Sequence, residues 1–214
     1  MSGKMPLGNS VAGASALRDP AHFSWTIVPL FVIVVYLYFR QAEMQHWSRI
    51  LAALALWGMD WFNEIWNALV LHFSGYAPVW GIGHQSSWLI LAGLNIEIVL
   101  MFAVLGLVST LLLPADKSAK IVGINNRLFF ACLNSILCVL VELVLNRFGM
   151  LLWKWPWWNA GHPWLIFLIG YLPFFLVAYA VYDMESRRRQ ITTVAAILGI
   201  DAIALAIFLS LGWI

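Results

Sequence analysis

Five carboxylates, Asp60, Glu64, Glu97, Glu142 and Asp201, lie inside stretches that are otherwise apolar enough to be buried in a bilayer. An acid at membrane depth costs ~3 kcal/mol or more, so such side chains face a protein interior or a wet cavity and mark a functional site. A carboxyl enclosed by apolar groups favours its neutral form. Beneath aromatic walls it is a Brønsted acid in a dry pocket, suited to protonating an alkene or epoxide, with the resulting carbocation held over ring faces. The same chemistry suits isomerisation of a lipid double bond, one group giving a proton and another removing one on the opposite side.

Helical spacing sorts these acids by face. Asp60, Glu64 and Asn67 share one stripe and Glu142 and Asn146 another, because residues three, four and seven apart lie above one another. Asn95 and Glu97 are two apart and diverge. All five acids are expected to contribute to the proton chemistry.

Aromatic residues supply the expected walls. The run Trp153-Lys154-Trp155-Pro156-Trp157-Trp158-Asn159 is too dense in tryptophan for an interfacial belt alone and reads as a half-buried lid or re-entrant turn. Together with Trp57, Trp61, Trp66, Trp80 and Trp88 it predicts an aromatic-walled pocket. The expected substrate contacts are Asn67, Asn95, Asn146, Trp57, Trp61, Trp155, Trp158 and Tyr171. Tyr171, two residues before Pro173, reads as a kink with a satisfied hydroxyl rather than as a catalytic acid.

Metal and cofactor chemistry find no motif. His72, His84 and His162 fall near span ends and form no HxxxH or ExxH pair, so no metal is expected. Cys132 and Cys138 lie in one apolar stretch as small hydrophobes, with no CxxC spacing. There is no GxSxG, Walker loop or HExxH, and no cofactor is expected.

The elements that must hold these groups follow from composition. The 214 residues are 63% hydrophobic and 10% charged, against roughly 25% charged in soluble domains, and mean hydropathy is +0.85. The expectation is an all-α, polytopic membrane protein, a bundle of about six transmembrane helices at ~20 residues each. Residues 1–22 read as a polar tail without the apolar core of a signal peptide, and 23–214 as one transmembrane domain. The spans are expected over about 24–40, 47–73, 86–113, 121–146, 163–183 and 190–214, with no internal repeat. Eight Lys and Arg residues fall in the first, third and fifth loops and four on the opposite side, which predicts both termini on the non-cytoplasmic face. In that topology the acids converge between the midplane and the outer leaflet. The net charge of +2 makes no basic patch, so nucleic acid is not an expected partner. The expected partners are an apolar, isoprenoid-like small molecule and membrane lipid, with a homo-oligomer or a larger membrane complex left open.

The stretch Asp60-Trp61-Phe62-Asn63-Glu64-Ile65, followed by Ala92-Gly93-Leu94-Asn95-Ile96-Glu97, resembles the small integral-membrane terpene cyclases of meroterpenoid and indole-diterpene biosynthesis. That resemblance implies Glu64 and Asp201 as the acids that protonate the substrate and begin cyclisation. Asp60 and Glu97 depart from that family's asparagines, and it has seven spans. A second reading is a sterol or lipid isomerase, similar in logic to the emopamil-binding family. A third is a proton-coupled carrier, or a pigment- or lipid-binding subunit of a complex.

Overall fold

In the computed structural model, residues 17–19, 23–25, 27–83, 86 and 88–214 are described. His84 and most of the polar tail lie outside them. Among the described residues there are six helices: α1 (Ile27–Glu43), α2 (Trp47–Ser74), α3 (Ile96–Leu111), α4 (Asn126–Arg147), α5 (Pro163–Tyr182) and α6 (Arg187–Ser210). Six short strands accompany them: β1 (Trp80–Ile82), β2 (Leu89–Leu91), β3 (Leu94–Asn95), β4 (Lys120–Ile121), β5 (Ile124–Asn125) and β6 (Leu151–Trp153). They form three antiparallel two-stranded ribbons, β1–β6, β2–β3 and β4–β5, so the fold is helical with ribbon connections rather than strictly all-α.

Among the described residues, three helices, α4, α5 and α6, are long and apolar enough to cross a membrane. The count of six spans expected from hydropathy is not met on that measure. The third apolar stretch, expected to span from residue 86, spends its first part on the β2–β3 hairpin, which leaves α3 with 16 residues. At 1.5 Å per residue that is about 24 Å, short of the ~30 Å hydrocarbon core. The helix α2 is 28 residues long, but its acids lower its hydropathy.

The core is organised around α2, which packs against α3, α5 and α6. Its buried residues include Ala52, Ala53, Ala55 and Gly58, small side chains that let neighbouring backbones approach closely, as in membrane helix interfaces generally. A Cβ on Gly106 of α3 would lie 2.7 Å from the Ala53 Cα, and one on Gly58 would lie 2.6 Å from the Ile197 Cγ2 of α6. Lipid-type side chains cover the outward faces of α1, α4 and α6, where Phe31, Ile136, Leu140, Ile203 and Ile207 are exposed.

A local pattern recurs where no repeat was expected. Leu91-Ala92-Gly93-Leu94-Asn95 precedes α3, and Ile121-Val122-Gly123-Ile124-Asn125 precedes α4. Each builds a hairpin whose last residue, an asparagine, caps the next helix: Asn95 accepts from the Ile98 N–H at 2.8 Å and Asn125 from the Arg127 N–H at 2.9 Å. The glycines serve different ends. Gly123 (φ 79°) and Val122 (φ 52°) are both left-handed, the combination a two-residue hairpin needs. Gly93 is instead required by close approach, described below.

The roof over the C-terminal end of α2 is stitched from two loops. Trp80, Gly81 and Ile82 pair with Trp153, Leu152 and Leu151, and the Trp155 indole donates to the Ala77 carbonyl at 3.1 Å. At the opposite end Arg127 grips Asp183 through two bonds of 2.7 and 2.8 Å, fixing the start of α4 against the end of α5.

Candidate functional site

The conformation of α5 sets one wall. Its residues Ile166–Tyr171 form a π-helical segment immediately before Pro173; π turns inside α-helices are rare and cluster at functional sites. The wide turn presents Gly170, Tyr171 and then Phe174 to a cavity of about 80 Å³. The other walls also follow helical spacing: Asp60, Asn63 and Glu64 from α2, Ile98, Met101 and Phe102 from α3, and Val141, Glu142 and Leu145 from α4. Trp80, Gly93, Leu151 and Trp158 close it above.

Three of the predicted acids therefore meet in one chamber. Glu64 accepts a 2.7 Å hydrogen bond from the Trp80 indole on one oxygen, and its second oxygen is buried without a partner. Glu142 accepts 2.7 Å from the Tyr171 hydroxyl, and its second oxygen is likewise unpartnered. Asp60 is 3% exposed with Oδ2 unpartnered, and stands within electrostatic reach of Glu64, Asp201 and Glu142. Buried polar atoms almost always find partners, so three orphaned carboxyl oxygens at one small cavity mark a place built to meet something else.

Asn67 holds this arrangement from behind. Fully buried, it accepts from the Val79 and Trp80 N–H groups at 2.7 and 3.2 Å and donates to the Trp80 carbonyl at 2.8 Å. The backbone of Trp80 is thus locked, and its indole is aimed at Glu64. Behind the ring sits Gly93: a Cβ there would lie 2.6 Å from Trp80 Cδ1 and would also strike Asn67 Nδ2. Asn67 is a positioning residue and not the substrate contact expected of it.

Other expected contacts also have structural work elsewhere. Asn95 caps α3 and Asn146 donates to the Leu151 carbonyl at 2.9 Å. The Trp57 indole donates to the Val99 carbonyl at 3.0 Å, tying α2 to α3, and Trp155 holds the roof. Trp61 packs toward Ala204 and Leu205 of α6. Of the expected aromatic contacts only Trp158 and Tyr171 line the cavity. Glu97 sits half-buried in the first turn of α3, outside the cavity lining. Asp201 lies in the α2–α6 seam, with Oδ2 3.4 Å from where a Gly58 Cβ would stand and both oxygens unpartnered. It is not among the residues that line the cavity, although it stands within electrostatic reach of Asp60.

Sequence reasoning missed Asn63, Phe102, Phe174, Met101 and the role of Trp80. Phe102 and Phe174 are three and four residues from other lining positions, which is the signal that could have found them.

The chamber is blind above and opens sideways. Trp80 and Trp158, with ring centres 5.5 Å apart, form its ceiling. Met101 of α3 and Val141 of α4 line it and are also 44% and 52% exposed on the apolar surface. The helix α4 packs chiefly on α5, and these two exposed lining residues belong to α3 and α4.

Comparison with known proteins overturns the terpene-cyclase resemblance. A family model described as an uncharacterized membrane protein family matches residues 8–210. An uncharacterized protein of Archaeoglobus fulgidus is 50% identical over 207 residues, covering 97% of this chain and 98% of that one. A second from the same organism is 68% identical over 53 residues, 24% of this chain and 95% of its own length. No solved structure matches. The residues that carried the resemblance do other work here: Ala92-Gly93-Leu94-Asn95 is a hairpin and helix cap, and Asp201 is outside the chamber. With the match running over almost its whole length, the chain belongs to this uncharacterized family of membrane proteins.

Proposed function

We propose that the protein is a membrane enzyme that admits the end of an apolar lipid-phase molecule between α3 and α4 and moves protons on it, isomerising or cyclising it without a cofactor. The observation that carries this reading is the set of three unpartnered carboxyl oxygens, from Asp60, Glu64 and Glu142, around one aromatic-lined cavity. Ligand pockets are usually ~300–1,000 Å³. A cavity of about 80 Å³ takes only the reacting end, with the rest of the chain lying in the cleft past Met101 and Val141.

The hydrogen bonds suggest the division of labour. Glu64 and Glu142 are each held by an N–H or O–H donor on opposite walls and are assigned as proton acceptors. Asp60, which reaches into the same space, is assigned as the donor. Asp201 keeps a place in the proposal as a neighbour of Asp60 outside the chamber.

All six helices are proposed to cross the bilayer with both termini on the non-cytoplasmic side. The short α3 is completed by the β2–β3 hairpin, whose Leu89, Leu91, Ala92, Leu94 and Asn95 are buried in protein, the condition under which non-helical backbone is tolerated at membrane depth.

A test independent of the substrate's identity uses solvent deuterium. Protein in vesicles made from lipid extract is incubated in D₂O, and the lipids are examined by mass spectrometry for non-exchangeable deuterium. A lipid class that gains deuterium with the native protein, and not with Asp60→Asn, supports the reading. No carbon-bound deuterium in any lipid would overturn it.

A further inference from the structure

The lining of the chamber specifies the charge of what it receives. No Lys, Arg or His is among the residues that line it. Three carboxyls are: Asp60 and Glu64, 3% and 4% exposed, and Glu142, each with a buried oxygen lacking a partner. Around them stand the faces and edges of Trp80, Phe102, Trp158, Tyr171 and Phe174. The rings are held against one another, Phe102 and Tyr171 at 6.3 Å and Trp80 and Trp158 at 5.5 Å, so the walls are set before any ligand arrives. Aromatic rings carry a negative face and attract cations most strongly where water is excluded. A carboxylate or phosphate in this space would find three carboxyls and no cation to pair with.

We infer that the chamber binds positive charge, and that its ligand class is an amphiphile with one apolar chain and a small cationic end: an ammonium, or the carbocation that protonation of an alkene makes. The single N–H of a protonated tertiary amine donates to one of the orphaned oxygens of Asp60, Glu64 and Glu142, while its methyl groups rest on the rings. The 80 Å³ volume admits a dimethylammonium and leaves its tail to the cleft between Met101 and Val141. Anionic ends, prenyl diphosphates and fatty acids among them, are excluded from this site. The inference rests on the lateral-entry reading of the same cavity and adds the sign of the charge to it.

The experiment titrates protein in phosphatidylcholine vesicles with three probes of equal chain length, N,N-dimethyldodecylamine, dodecanol and dodecanoic acid. Binding is followed by tryptophan fluorescence, since Trp80 and Trp158 face the site. The amine is expected to bind at least about tenfold more tightly than the alcohol, the scale of one desolvated cation–π contact, and the acid not at all. Asp60→Asn and Glu64→Gln should each weaken the amine by about tenfold or more and leave dodecanol within about twofold. Equal binding of amine and alcohol by the native protein overturns the inference whatever the variants do. Dodecanol binding without the amine sinks the charge assignment alone, whereas no probe binding at all sinks lateral entry as well.

Discussion

The Trp80 indole N–H lies 2.7 Å from a carboxyl oxygen of Glu64, joining a loop strand to the middle of the central helix across sixteen residues of chain. Both partners are buried, so this bond leaves Glu64 with one oxygen held and one free at the cavity. Changing Trp80 to Phe keeps an aromatic ring in the ceiling and removes the donor. Deuterium incorporation should fall by about 100-fold, the lower range for a misplaced general acid or base, while membrane insertion is retained. Unchanged incorporation would show that the bond does not position the acid.

Asn67 supports that bond by spending its whole side chain on the Val79 and Trp80 backbone. Asn67→Ala orphans two N–H groups and a carbonyl at a fully buried site. At ~1–3 kcal/mol for each buried polar group left unsatisfied, the variant should lose ~3 kcal/mol or more of stability. Urea denaturation in detergent, read by tryptophan fluorescence, measures it; a loss below ~1 kcal/mol would contradict the clamp.

Gly93 has no room for a methyl group. Gly93→Ala drives Cβ against Trp80 and Asn67, and overpacking of this kind costs ~1–3 kcal/mol. Gly199, with nothing within 4 Å of its would-be Cβ, is the control. Gly199→Ala sits mid-helix, where alanine is favoured, and should be neutral or stabilising by up to ~1 kcal/mol. Equal effects at the two positions would refute the close approach.

Asp60 and Asp201 should behave differently although both are buried acids. Asp60→Asn removes the assigned proton donor and should abolish incorporation of deuterium. Asp201→Asn, in the α2–α6 seam outside the chamber, should leave incorporation within about tenfold, since it acts only through the field at Asp60. A null Asp201→Asn variant that is folded and inserted would return Asp201 to the catalytic group.

Val122 stands at φ 52° on the β4–β5 turn, 88% exposed. A β-branched residue in the left-handed region stores about 1–3 kcal/mol of strain. Val122→Asn or Val122→Gly should therefore raise stability by ~1 kcal/mol, seen as a higher midpoint in the same denaturation assay. A lower midpoint in both would mean that the valine makes an apolar contact worth more than the strain.

Part of this site was legible along the chain. The depth of an acid in a span is its position in sequence multiplied by a constant rise; Asp60, Glu64 and Glu142 are expected in one layer, and all three line the cavity. The i, i+4 stripe on α2 correctly put Asp60 and Glu64 on one wall. Tyr171 was read as a residue with a satisfied hydroxyl, and its bond to Glu142 meets that expectation. Depth did not carry direction, however. Asp201 stands beside Gly58 in the α2–α6 seam, within electrostatic reach of Asp60 but not among the cavity lining.

Composition and hydropathy by themselves determined that the chain is a mostly helical membrane protein with acids inside apolar stretches, since burial in lipid leaves its mark on every residue of a span. They also marked the tryptophan-rich loop as unusual. Only the tertiary structure decided which acids meet. That depended on contacts without sequence periodicity: the β1–β6 pairing that lays Trp80 over Glu64, the π segment that turns Tyr171 to Glu142, and the glycines that set how closely α3 and α6 approach α2. Such contacts join residues far apart in the chain, and their geometry depends on the packing of several helices at once rather than on any one stretch of sequence.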